Sequence, residues 1–392
     1  MTDIFAPATL GPITLRNRVI KAATFEGRTP DALVTDELIE FHRRIAAGGV
    51  GLSTVAYCAV APEGRTDRHQ IWMRPDAVPG LRRLTDAIHA EGAAASAQIG
   101  HAGPVANAAS NRVPALSPSR LFSPLGMSMT RRPDADGIAE LVAAHVRSAL
   151  LAEEAGFDAV EIHFGHNYLV SAFLSPLLNR RRDGYGGSLA NRARLAREIA
   201  EGVARAVGGR LAVLAKLNMD DGVAGGLRPA ESVQVAQMLE ADGTLDALEL
   251  TAGSSLLNPM LYFHGDAPRR SFARTFGPPL SWGLRVAGPM FLREYPYRSA
   301  YLLERAQLFR AALRMPLVLL GGITDYDGMR LARTEGFEFV AMGRALLCEP
   351  DLPRRIAAET TTTAACTHCN ECMPTIFTGT RCVLPIAEGN LS

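Results

Sequence analysis

Eight short runs of apolar and β-branched residues recur along the chain, each separated from the next by a longer amphipathic stretch. They are RVIKAA near 18, GLSTVA near 51, AAASAQI near 93, DAVEIHF near 158, LAVLAKL near 211, LDALELT near 245, LVLLGG near 317 and FEFVAMG near 337. A strand apolar at successive positions is buried on both faces, which a parallel sheet covered by helices provides. Eight such units over more than 300 residues predict an α/β chain closed into a (β/α)8 TIM barrel. Ser188 is placed to cap the helix that follows it, and Pro229 to open the next one. Between the sixth and seventh strands, residues 252–300 are rich in Gly, Pro and aromatics and too long for an ordinary connection. They read as a long loop forming a lid, with Trp282, Tyr295 and Tyr297 as its anchors. Residues 1–358 are thus expected to form the barrel and 359–392 a Cys-rich C-terminal tail after the Thr361, Thr362, Thr363 run.

Charge narrows the partners. The 41 basic and 40 acidic residues nearly cancel, so neither a nucleic-acid footprint nor a polybasic membrane surface is indicated, and a small-molecule substrate is expected. A homo-oligomer is compatible with this reading. The first residues lack a basic and then apolar leader pattern, and no apolar run approaches the roughly 20 residues a membrane helix needs, so a cytoplasmic protein is expected. No G-x-G-x-x-G follows a strand, which argues against a separate Rossmann unit.

Barrels of this kind bind ligands at the carboxyl ends of their strands. Gly321 and Gly322 end the seventh run, and Gly343 and Arg344 the eighth, a pattern suited to a phosphate or to plain tight turns. The fourth run ends in His163, His166 and Tyr168, three polar groups at one mouth. A hydrogen-bonding imidazole pair fits them better than a metal site, since no nearby carboxylate completes one. Gln98 closes the third run and Lys216 the fifth, an amide and a cation able to hold an electron-rich ring or simply to meet solvent.

The stretch GFDAVEIHFGHNYLVSAFLSPLLNRRRDGYGGSLANRARL, 156–195, closely resembles the signature of the old yellow enzyme family of flavin oxidoreductases and ene-reductases. LGPITLRNRVIKAA, AQIGHAG and FEFVAMGRALLCEPDLP extend the likeness over the barrel, and it points to the barrel part of the 2,4-dienoyl-CoA reductase-like branch without its C-terminal nucleotide-binding domains. The resemblance implies FMN as cofactor, NADH or NADPH as hydride donor, and the C=C bond of an α,β-unsaturated carbonyl as acceptor. It implies that His163 and His166 hydrogen-bond the acceptor's carbonyl, that Tyr168 donates a proton, and that Gln98 and Lys216 meet the flavin's pyrimidine edge. It also implies that Gly322, Gly343 and Arg344 grip the phosphate, beside Gly321, which the strand-end pattern already places at the cofactor. Thr24 and Tyr57 are expected among the cofactor-binding residues although both depart from the pattern, Thr24 falling one residue early and Tyr57 standing in place of a small residue; Pro104 replaces an arginine, and Lys216 is often arginine in relatives.

Cys366, Cys369, Cys372 and Cys382 resemble the [4Fe-4S] ligands of longer relatives, although C-x2-C-x2-C-x9-C is a tighter spacing than theirs. Structural zinc and free thiols are the alternatives for the tail. For the whole chain the alternatives are amine dehydrogenation or demethylation, an aldolase using Lys216 as Schiff base, and an electron-transfer or docking module working through the tail.

Overall fold

The computed structural model describes residues 3–385. All eight runs form strands: β1 Val19–Lys21, β2 Leu52–Ala59, β3 Ala94–Gly100, β4 Ala159–Phe164, β5 Ala212–Asn218, β6 Ala247–Thr251, β7 Leu317–Leu320 and β8 Phe339–Met342. Each pairs in parallel with its neighbours in the chain, and β8 closes on β1 through Val340↔Val19 and Ala341↔Ile20, completing the barrel. Helices pack outside, bounded as their caps require. Ser188 Oγ accepts from the N–H of Asn191 at the start of Leu189–Val207, Pro229 opens Pro229–Asp242, and Asp134 Oδ1 caps Ala135–Glu154.

The barrel interior is layered. Its lower layer is apolar, with Ile20, Leu52, Leu214, Val318 and Phe339 packed against an N-terminal hairpin, Ala8–Leu10 with Ile13–Leu15, that covers that end. Above it lie buried charges: Lys21, Glu161, Lys216 and Glu249 are each no more than 2% exposed. Removing ions from water is costly unless they are paired, so this layer marks where the barrel gives up packing for chemistry.

The excursion after β6 is not a structureless loop. It contains the helices Arg269–Arg274 and Leu280–Phe291, separated by Gly277, Pro278 and Pro279, and the second runs on despite Gly283, Gly288 and Pro289 within it. The tail folds back onto the barrel. Its Tyr326 N–H···O=C Thr362 bond, the Asp266 N–H bond to the His368 carbonyl and the stacking of His368 on Tyr297 at 3.4 Å tie it to the β7 loop and the lid. Among the described residues no helix is long and apolar enough to cross a membrane.

Candidate active site

A cavity of about 640 Å³ opens at the carboxyl ends of the strands. Its floor comes from the strands, its roof from lid side chains such as Phe272, Phe276 and Leu284, and part of its wall from the tail through Cys372, Met373 and Thr380. The last contribution was not legible as such in the sequence, where the tail reads as an appendage.

His163, His166 and Tyr168 come together at this mouth. His163 is the last residue but one of β4 and faces the cavity; Gly165 then leads into a turn in which His166 and Asn167 both take left-handed backbone, φ 60° and 58°. Such conformations are costly for residues with a Cβ and persist only when held. Here Asp221 holds them: its Oδ1 accepts from Asn167 Nδ2 and Asn218 Nδ2, and its Oδ2 from Ser175 Oγ and the Leu227 N–H. Tyr168 then opens the short helix Leu169–Leu174. Gly103 of the AQIGHAG stretch, at φ 60°, lets that helix approach; a Cβ there would lie 2.6 Å from Leu169 Cα.

The ring of Tyr168 stands edge-on to His163 at 4.7 Å, and His163 and His166 lie 5.1 Å apart. Tyr57 joins them edge-on to Tyr168 at 5.4 Å, aimed there by a bulge between Val55 and Cys58, with its hydroxyl donating to Gly64 O at 3.2 Å. Thr251 occupies Nε2 of His166 at 2.8 Å, while Nδ1 of His163 is buried without a partner. Burial above all, with Lys216 nearby, holds both imidazoles neutral, His166 down to about 3 and His163 well below its usual value. Burial likewise raises Tyr168, with Tyr262 adding to the effect, so its phenol keeps its proton.

Gln98, Lys216 and Thr24 also line the cavity, each tied to a carboxylate the sequence reading passed over. Glu161 Oε1 accepts from Gln98 Nε2 at 2.6 Å and from Lys216 Nζ at 3.0 Å. Glu249 Oε1 lies 2.9 Å from the same ammonium. Glu26 pairs with Lys21 at 2.6 Å and accepts from Thr24 Oγ1 at 3.2 Å. A charged residue inside an otherwise apolar strand, as in LDALELT or RVIKAA, was the available signal. Its two carboxylate neighbours raise the proton affinity of Lys216 against the opposing effect of burial, which removes the free amine an aldolase needs.

Gly321 and Gly322 take φ 100° and 79°, and a Cβ on either would strike Tyr301 and Leu302 or the Arg298–Ala300 backbone. Gly343 differs: a Cβ there would meet only Thr24 Cγ2 at 3.7 Å, leaving open space at the end of β8. Arg344 lines the cavity, with its guanidinium donating to His264 O at 2.9 Å and bonded to Asn370 Oδ1. The glycines, the arginine, Gln98 and Lys216 together fit a phosphate-tailed planar ring.

The four tail cysteines gather in one region and feel one another, and Cys382 shares a thiol hydrogen bond with Cys348. However, no three His, Cys, Asp or Glu side chains among the described residues converge closely enough to hold a metal ion. The ligand spacing of Cys366, Cys369, Cys372 and Cys382 is therefore present without a preformed metal cage, because the tail's side chains pack on Arg344 and the lid instead.

Residues 3–253 match the NADH:flavin oxidoreductase / NADH oxidase family. The chain belongs to that family, the old yellow enzymes. This flavin oxidoreductase is 52% identical over 382 residues to the 4,4'-dithiodibutanoate disulfide reductase of Rhodococcus erythropolis, covering 97% of this chain and 95% of the relative. It is 32% identical to the metal reductase of Desulforamulus reducens over 96% of this chain but only 52% of that protein. Among solved structures, the 2-naphthoyl-CoA reductase complex superposes with TM-score 0.83 at 26% identity over 99% of this chain and 57% of that one. An old yellow enzyme homologue from Zymomonas mobilis shares the fold, with TM-score 0.74 at 24% identity over 93% and 95% of the two chains.

Proposed function

We propose that this enzyme binds FMN in the cavity, takes hydride from NADH or NADPH, and reduces the C=C bond of an α,β-unsaturated carbonyl held by His163, His166 and Tyr168. The observation that carries the reading is the convergence of two neutral imidazoles and an un-ionised phenol on a cavity that also presents Gln98 and Lys216. The ring of FMN supplies the two-electron chemistry. Gln98 and Lys216 would hold its pyrimidine edge, and Gly321, Gly322, Gly343 and Arg344 its phosphate.

The chain's own groups do the rest. A neutral imidazole N–H donates to the carbonyl oxygen without the cost of burying an imidazolium, and the negative charge that develops on that oxygen strengthens both bonds. Tyr168, kept protonated by burial, delivers a proton to the α-carbon. The lid excludes water from the roof through Phe276, Leu280 and Leu284.

The 52% identical relative favours a second acceptor, an organic disulfide. In that case Tyr168 protonates the departing thiolate instead of carbon. Anaerobic turnover of the flavin-loaded enzyme with a cyclic enone and with 4,4'-dithiodibutanoate separates the two; activity with neither rejects both.

We propose, finally, that Cys366, Cys369, Cys372 and Cys382 ligate a [4Fe-4S] cluster once side-chain rotation brings them together. Their spacing and shared location support this, and no step of the reaction is assigned to it.

A further inference from the structure

The upper layer of the barrel holds a charge arrangement that hydride transfer alone does not use. Lys216 on β5 is the register partner of Glu249 on β6, and its ammonium lies 2.9 Å from Glu249 and 3.0 Å from Glu161 on β4. All three side chains are at most 3% exposed. Two carboxylates therefore face one ammonium, and full ionisation would bury an uncompensated negative charge. The next cation, Lys21 on β1, is committed to Glu26 at 2.6 Å. Glu161 receives hydrogen bonds from both Gln98 on β3 and Lys216, whereas Glu249 has the ammonium and a carboxyl–carboxyl hydrogen bond with Glu161 but no amide donor, so the retained proton rests on Glu249, donated toward Glu161. Burial and the charge of Glu161 lift Glu249 to about 8. On β7 its register partner is the uncharged Val318, and His163, the partner of Lys216 on β4, is neutral.

We propose that Glu249 is a proton-uptake group coupled through Lys216 to charge in the cavity. Lys216 lines the cavity and the two carboxylates lie behind it, so negative charge formed on the occupant competes for the ammonium and leaves Glu249 to be neutralised by a solvent proton. The proposal rests on the flavin reading and deepens it. Hydride brings two electrons and one proton to the ring and leaves it one charge more negative. Where Glu249 begins ionised, it takes up a second proton, giving two electrons and two protons in all.

The test is the midpoint potential of the FMN-loaded enzyme, measured against reference dyes from about pH 7 to pH 9.5, spanning the range in which a raised carboxyl titrates. With one proton per two electrons the reduced-to-oxidised ratio changes tenfold per pH unit, about 30 mV; with two protons it changes a hundredfold, about 60 mV. The wild type is expected to pass from the first slope to the second as pH rises, and Glu249→Gln to keep the first throughout. A single slope in the wild type, or the same break in Glu249→Gln, overturns the proposal. Should the variant fail to fold, the reduced-minus-oxidised infrared difference of the wild type at high pH decides: a protonated carboxyl band must be gained on reduction, and its absence overturns the proposal. Failure to bind flavin at all would reject the functional reading instead.

Discussion

Asp221 accepts a hydrogen bond from Asn167 Nδ2 at 3.1 Å, and through this buried contact the β5–β6 loop holds the turn that carries His166 and Tyr168. Two consecutive left-handed residues would otherwise relax. Replacing Asp221 with Ala strands the donors of Asn167, Asn218, Ser175 and Leu227 in the interior, and a loss of roughly 3 to 5 kcal/mol is expected. Urea unfolding checks it, and a change below about 1 kcal/mol would show that the turn does not depend on this contact.

Tyr168→Phe tests the proton donor. Acceptor reduction, followed by stopped flow from the pre-reduced enzyme, should fall about 10² to 10⁴-fold while reduction by nicotinamide stays nearly unchanged. Equal losses in both half-reactions would place Tyr168 in cofactor or donor binding rather than proton transfer.

Much of this was legible in the sequence, for identifiable reasons. The eight strands declare themselves because burial on both faces leaves uninterrupted apolar runs, and His163, His166 and Tyr168 because polar groups at a strand mouth interrupt that pattern. Glu161 and Glu249 escaped because their meaning lies in which strands are neighbours: Gln98↔Glu161 and Lys216↔Glu249 are cross-strand pairs more than 30 positions apart in the chain. The lid helices were obscured by the Gly and Pro residues around them. The contact of Cys372 and Thr380 with the cavity depends on the tail folding back, which local pattern does not encode.

Acid should destabilise the fold through its buried histidines. His42, His101, His145, His163 and His166 are all depressed by burial, so below about pH 6.5 the unfolded chain binds protons the folded one refuses. Stability therefore falls as pH drops through that range, by up to about 1.4 kcal/mol per pH unit for each such group. Chemical denaturation at about pH 7 and pH 5 checks this; equal stability at the two would contradict it. Over the same window the neutral imidazoles predict no loss of acceptor binding from their own protonation.

Anaerobically purified enzyme should carry about four iron atoms per chain beside its flavin, and Cys369→Ser should lose the iron while keeping FMN. Iron-free protein with full flavin content would leave the tail as free thiols.

Hydride transfer through bound FMN can be watched by titrating purified, flavin-loaded protein with NADH and then NADPH under anaerobic conditions while recording its absorption. The visible absorbance of the oxidised flavin should bleach at about one nicotinamide per chain and return when an enone or organic disulfide is added. Protein that binds no FMN, or whose flavin stays oxidised with both nicotinamides, would contradict the proposed hydride transfer.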